Sequence, residues 1–260
     1  METRPTIPGV RHVAYFGETI ALPAFDDDER FYQRLTQGRW EVATFRALER
    51  FLDRDTTFID VGAWIGAMAF WAARRARAVI AVEPDPVSFA RLEAVARLNP
   101  PNVQLLAAAL SDQPTVTLYA KKAFGRSSSS VVTGDPSQRV EVRGVSLSAL
   151  LRICEGPVFL KIDIEGLEYR LREMIVEQAE PRIKGFQLAV HPHLYSRSLR
   201  GIGNSSRLHA FRESLRLFKE IPGFRLVRPA GAGAFCATAI FRILLRRKPA
   251  GWDVLYTQAA

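Results

Sequence analysis

Five short stretches of this chain carry side chains whose types and spacing suit chemistry. The first is Asp60-Val61-Gly62-Ala63-Trp64-Ile65-Gly66. Glycines placed like this let the backbone pass close to a ligand, because no Cβ stands in the way. The helical turn that follows offers N–H groups without intrahelical partners, and Asp60 can accept hydrogen bonds from an ammonium. The second stretch is Glu83-Pro84-Asp85-Pro86. A carboxylate can accept both protons of a ribose diol, and an acid about 20 residues after a glycine turn is where nucleotide folds bind that diol. Asp85 followed by Pro86 also reads as a helix cap. The third stretch, Ser111-Asp112, is either a polar pair near an adenine edge or a plain turn.

The fourth stretch is Lys161-Ile162-Asp163-Ile164-Glu165-Gly166. Strand alternation sends its three ionisable groups to one side. Buried charge is costly unless paired, so these groups form either a salt-bridged network or a general-base site. The fifth, His191-Pro192-His193, holds half of the four histidines. An imidazole titrates near neutrality, which suits a general base. His12 and His209 have no comparable context.

Each stretch follows an apolar run that reads as a strand. The strands are Thr56–Val61, Ala78–Val82, Val103–Ala108, Pro157–Ile162 and Phe186–Val190. Helical spacing falls between them, at Ile65 to Ala72, Val87–Leu98 and Leu167 to Ile175, and again at Leu208 to Phe218. Thr115–Tyr119 and Val140–Val145 alternate like edge strands, while Phe224–Val227 and Ala237–Ile243 read as closing strands. This order predicts an α/β fold with a doubly wound, mostly parallel sheet covered on both faces. Ligands bind such sheets at the carboxyl ends of the strands, where strand order reverses. A lead-in over residues 1–55, with a helix at Trp40–Leu52, precedes a main domain over residues 56–260.

Composition limits the function classes. The chain has 260 residues, 48% of them hydrophobic and 24% charged, so a full core is expected and wholesale disorder is excluded. The longest uncharged runs, Val61–Ala73 and Pro229–Phe241, fall short of the roughly 18 residues a membrane span needs. The first 20 residues contain no apolar signal-like core. Two cysteines, Cys154 and Cys236, cannot build a disulfide framework, and a reduced cytoplasmic compartment is the expectation. The net charge is +9. The whole excess falls after residue 194, in a segment with its densest cluster at Arg246-Arg247-Lys248. Such asymmetry indicates either an anionic partner or a solvated basic surface. Gly125–Ser130, with four serines after Arg126, is predicted to be a mobile segment that orders over a bound substrate, the alternative being an ordinary polar linker.

The runs FIDVGAWIG, AVEPDPVSF, AALSD, GRSSSS, LKIDIEGLEY and LAVHP, in this order and spacing, resemble the FkbM family of S-adenosylmethionine-dependent methyltransferases. The resemblance covers about Thr57 to His193 and implies a Rossmann-like class I methyltransferase fold. It implies that Asp60, Gly62 and Gly66 hold the methionine part of S-adenosyl-L-methionine, with Trp64 in the same cofactor loop, that Glu83 binds the ribose, and that Ser111 and Asp112 lie near the adenine. It also implies that Lys161, Asp163 and Glu165 stand beside the transferred methyl group. Asp163 or His191, at the strand ends, is the expected base. Two positions depart from the family pattern. Trp64 stands where Asn is frequent, and Ala189 where Glu is frequent.

The expected reaction is O-methylation of a hydroxyl on a sugar, glycan or secondary metabolite, with no metal required. The expected partner is such a hydroxyl acceptor. An RNA ribose methyltransferase and a non-catalytic S-adenosylmethionine-binding module are the alternatives. Amino-group methylation of bases is disfavoured, because Asp163-Ile164-Glu165-Gly166 is not an Asp/Asn-Pro-Pro-aromatic motif. A nicotinamide-dependent oxidoreductase is disfavoured by the missing glycine spacing.

Overall fold

The computed structural model describes residues 9–25, 29–120, 123–126, 129–131, 135–164, 181–191, 209, 212–213, 224–227 and 252–258. The expected strands β3 (Thr57–Val61), β4 (Ala78–Val82), β5 (Val103–Leu106), β9 (Val158–Ile162) and β10 (Ile183–Val190) form one parallel array. Burial explains the apolar runs. All five residues of β3 and all five of β9 are buried, as central strands covered on both faces must be. Beyond β10 the sheet is closed by β12 (Trp252–Gln258), which is antiparallel to both β10 and β11 (Phe224–Val227). The complete order is β11-β12-β10-β9-β3-β4-β5. The chain runs from β3 outward through β4 to β5, then returns to the other side of β3 at β9. Strand order therefore reverses between β3 and β9, and their carboxyl ends open the crevice in which such folds bind ligands. This is the doubly wound α/β arrangement that the pattern predicts.

β12 was not among the expected strands. The expected helices around residues 167–175 and 208–218 fall largely outside the described residues, as does the strand expected at Ala237–Ile243. Between β5 and β9 lies a small second sheet, of order β6-β8-β7, made of Ala109–Leu110, Arg139–Val145 and Thr115–Tyr119. The two runs expected as edge strands pair with each other here, antiparallel. The expected strand Val103–Ala108 is shorter than predicted. It ends at Leu106, and the chain turns into β6 instead of continuing.

The lead-in carries the expected helix, α2 (Val42–Phe51), and adds two elements before it. These are a hairpin of β1 (Val10–Tyr15) and β2 (Glu18–Pro23), and the helix α1 (Glu29–Thr36). Phe16 and Gly17 join the strands, both with positive φ (44° and 77°), the conformation a two-residue hairpin turn requires. Phenylalanine is an unusual residue there, so the turn carries no Asn-Gly or Asp-Gly signal. The hairpin docks on α3 (Ala67–Ala72) and α4 (Pro86–Ala96). Asn99 accepts from the Ala21 amide and donates to its carbonyl, and Trp71 Nε1 donates to the Tyr15 carbonyl at 2.8 Å. Val13, Ile20, Leu22, Leu35, Phe45 and Leu48 pack into the same apolar cluster as Phe58, Trp71 and Leu92. Lead-in and sheet therefore share one core. Among the described residues, no helix is long and apolar enough to cross a membrane.

Candidate active site

The carboxyl ends of β3, β4 and β9 converge on a cavity of about 420 Å³, within the size range of small-molecule sites. Asp60 and Lys161 are paired residues on neighbouring strands, so the sheet register sets them side by side. Lys161 Nζ lies 3.1 Å from Asp60 Oδ1, 3.7 Å from Asp163 Oδ2 and 3.3 Å from the Gly62 carbonyl oxygen. Burial disfavours the ammonium, but the Asp60 and Asp163 carboxylates outweigh it, and the Lys161 pKa is raised. Asp60 is fully buried, and burial pushes its pKa up despite Lys161. Asp60 Oδ2 has no hydrogen-bond partner among the described residues. Asp163 Oδ1 in turn faces His191 Nε2 at 3.8 Å. The salt-bridged network that the sequence allows is present: Lys161 joins a buried carboxylate to one on the cavity wall.

Glu83, at the tip of β4, lines the same cavity. Its two carboxylate oxygens accept from the Trp64 and Asp85 amides, each at 2.8 Å. Burial drives its pKa up to about 7, a rise that the two amides only partly offset. Asp85 has a different task. It caps α4 by accepting from the Val87 and Ser88 amides, and it also accepts from the Gly125 amide and the Ser129 hydroxyl. Gly125 and Ser129 are therefore tied to the start of α4, whereas the sequence predicts a mobile segment there. Ser130 is tied on the other side, pairing its backbone with Tyr119.

Gly62 and Gly66 also meet a packing demand. A Cβ on Gly62 would overlap the Asp163 carbonyl oxygen, so this glycine lets the tips of β3 and β9 close on each other. A Cβ on Gly66 would strike Leu92 and Phe70, and Gly66 is not among the cavity-lining residues. Both need positive φ (80° and 85°), which favours glycine. Trp64 also has positive φ, 51°, and its ring lines the cavity with its edge against Phe31 at 5.0 Å between centroids.

Asp60, Gly62, Trp64, Glu83, Lys161, Asp163 and His191 are thus brought together. Ser111 and Asp112 are not. Because β5 stops at Leu106, it is Ala108, Ala109 and Leu110 that line the cavity. Ser111 instead accepts from the Gln113 amide in the following turn. Glu165 and His193 lie outside the described residues. No group of three or more potential metal-ligating side chains occurs among the described residues.

The lead-in supplies a wall that strand-end reasoning does not reach. Arg30, Phe31, Arg34, Trp40 and Glu41 line the cavity. Glu41 adopts positive φ (47°) just before α2 and accepts from Thr44 Oγ1, which itself accepts from Gln187 Nε2 of β10. The available sequence signal for α1 is the spacing of buried Phe31, Tyr32 and Leu35, which leaves Arg30 and Arg34 one turn apart on another face.

Comparison with known proteins gives one family match. The profile described as Methyltransferase FkbM domain matches residues 60–202. No curated protein matches the chain. Similar solved structures include methyltransferase FkbM from Methylobacillus flagellatus KT, at 17% identity and a TM-score of 0.39, covering 79% of this chain and 44% of that one. Another is an rRNA methylase from Streptococcus thermophilus, at 9% identity and a TM-score of 0.45, covering 84% and 95%. A third is a methyltransferase candidate from Streptococcus mutans in complex with SAH, at 12% identity and a TM-score of 0.44, covering 84% and 97%.

Proposed function

The chain belongs to the FkbM methyltransferase family, and from that premise we propose that it methylates a hydroxyl oxygen of a sugar, glycan or other small molecule. It is a methyltransferase, and its methyl donor is S-adenosylmethionine. The described residues fit that donor. Asp60 Oδ2, buried and without a hydrogen-bond partner, suits an ammonium. Glu83 suits a ribose diol, and Ala108, Ala109 and Leu110 give an apolar surface for a purine ring. The observation that carries the reading is the convergence of Asp60, Glu83, Lys161, Asp163 and His191 on one cavity at the strand-order reversal.

When bound, S-adenosylmethionine supplies an electrophilic methyl carbon attached to a good leaving group. The chain's residues therefore need only to align the acceptor and remove its proton. His191 is the proposed base, taking the hydroxyl proton as the oxygen gains the methyl group. Asp163, 3.8 Å from the imidazole, favours the cation that results. Lys161 holds Asp163 and Asp60 in place through its two ion pairs. Phe31, Trp40 and Trp64 give the cavity an aromatic wall, which suits a site that holds water away from the reacting atoms.

The test has two parts. Calorimetry should detect S-adenosylmethionine binding to the full chain. Turnover with methyl-labelled donor and a panel of sugars and hydroxylated metabolites should then give products whose label, located by mass spectrometry, sits on oxygen. Label found only on nitrogen or carbon would overturn the O-methylation reading.

A further inference from the structure

We propose that the acceptor carries a phosphate group, read by Arg30, Arg34 and Arg126 at the rim of the cavity; this rests on the small-molecule acceptor reading above. All three arginines line the cavity, all three are exposed, and none forms an ion pair with a described residue. The floor of the same cavity has the opposite character. Asp60 and Glu83 are buried there, suiting a cationic donor. The cavity thus offers carboxylates at depth and guanidinium groups at its mouth, so a cationic donor and an anionic acceptor find complementary ends.

The three arginines are held together as a unit. Arg30 and Arg34 are four residues apart on α1, one turn from each other on the same face. Helix α1 is anchored through buried Phe31, whose ring packs edge-on against Trp64. Trp64 Nε1 donates to the Gly125 carbonyl oxygen at 3.4 Å, and the Gly125 amide donates to Asp85. Gly125 immediately precedes Arg126. One chain of contacts therefore fixes two arginines from the lead-in and one from the loop around a common opening. Planar guanidinium groups match phosphate oxygens in pairs, which favours phosphate over a neutral sugar. A phosphorylated or nucleotide-linked sugar presents a hydroxyl near such a group.

The test uses the full chain saturated with S-adenosylhomocysteine, titrated with glucose 1-phosphate, inorganic phosphate, glucose and a 12-nucleotide single-stranded RNA. Both phosphate-bearing small molecules should bind at least about tenfold more tightly than glucose, the expected size of a charge-assisted contact. Arg34→Ala and Arg126→Ala should each remove most of that preference, and Arg34→Lys should retain part of it. S-adenosylhomocysteine affinity should stay within about twofold in all three variants. Equal binding of glucose and glucose 1-phosphate, or unchanged phosphate binding in both alanine variants, would overturn the proposal. So would RNA that binds more tightly than glucose 1-phosphate through the same arginines, with steep salt dependence. Failure of the parent chain to bind S-adenosylhomocysteine would instead strike the cofactor reading, separately from the rim.

Discussion

At the scale of single residues, the site is governed by how buried charge is compensated. Burial pushes the Glu83 pKa up to about 7, so below neutrality it carries a proton and has one less acceptor for a diol. S-adenosylmethionine affinity should therefore rise with pH up to about 7 and level off above it. Calorimetry should find binding about tenfold weaker at pH 6 than at pH 8. Glu83→Gln should bind weakly at both, without that slope. The same raised pKa has the opposite sign for stability. The folded carboxyl keeps its proton where the unfolded one has lost it, so its contribution is full below the ordinary carboxyl range and disappears as pH rises to about 7. Lys161→Met leaves Asp60 buried without its cation. Breaking such a pair costs about 3–5 kcal/mol, which thermal unfolding should register as a large fall in Tm. His191→Ala and Asp163→Asn should each lower kcat by about 10²–10⁴-fold, while donor affinity stays within a few-fold. Full turnover in both would remove them from the chemistry.

Among the elements, α4 and the segment after β7 depend on each other through Asp85. One carboxylate caps the helix and also holds Gly125 and Ser129. Asp85→Ala should cost about 1 kcal/mol from the cap alone and release the segment as well. Limited proteolysis near Arg126 should accelerate in the variant relative to the parent chain. Equal rates would mean that the Asp85 contacts do not restrain the segment. The tips of β3 and β9 depend on Gly62 in a similar way. A side chain there would press on the Asp163 carbonyl and also strain a backbone at φ 80°. Gly62→Ala should therefore spread the two strand ends, lowering both Tm and donor affinity.

For the molecule as a whole, the lead-in completes both the core and the cavity. Val13, Ile20, Leu22, Leu35 and Phe45 are buried against residues of α3 and β3, and Phe31 and Trp40 line the site. A chain lacking residues 1–38 would uncover Trp71, which is fully buried and bonded to the Tyr15 carbonyl in the intact protein. It should lose the cooperative thermal transition seen by circular dichroism, together with donor binding. A truncated chain that melted within a few degrees of the parent would show that the sheet stands without its lead-in.

The sequence by itself determined the parallel array and most of the residues gathered at its strand ends. Buried central strands must read as continuous apolar runs, and residues placed just after them must gather at one edge of the sheet. Asp60, Glu83, Lys161, Asp163 and His191 were legible for that reason. Only the tertiary structure decided what comes from elsewhere. The hairpin was hidden because Phe16 occupies a turn position that Asn or Asp usually marks. Ser111 was displaced from the cavity because β5 ends early and β6 begins, a choice made by pairing with β8 rather than by local propensity. Arg30, Arg34 and Glu41 reach the site because the lead-in folds back over the sheet. No local spacing records a contact between segments far apart in the chain; the burial of apolar surface between them creates it.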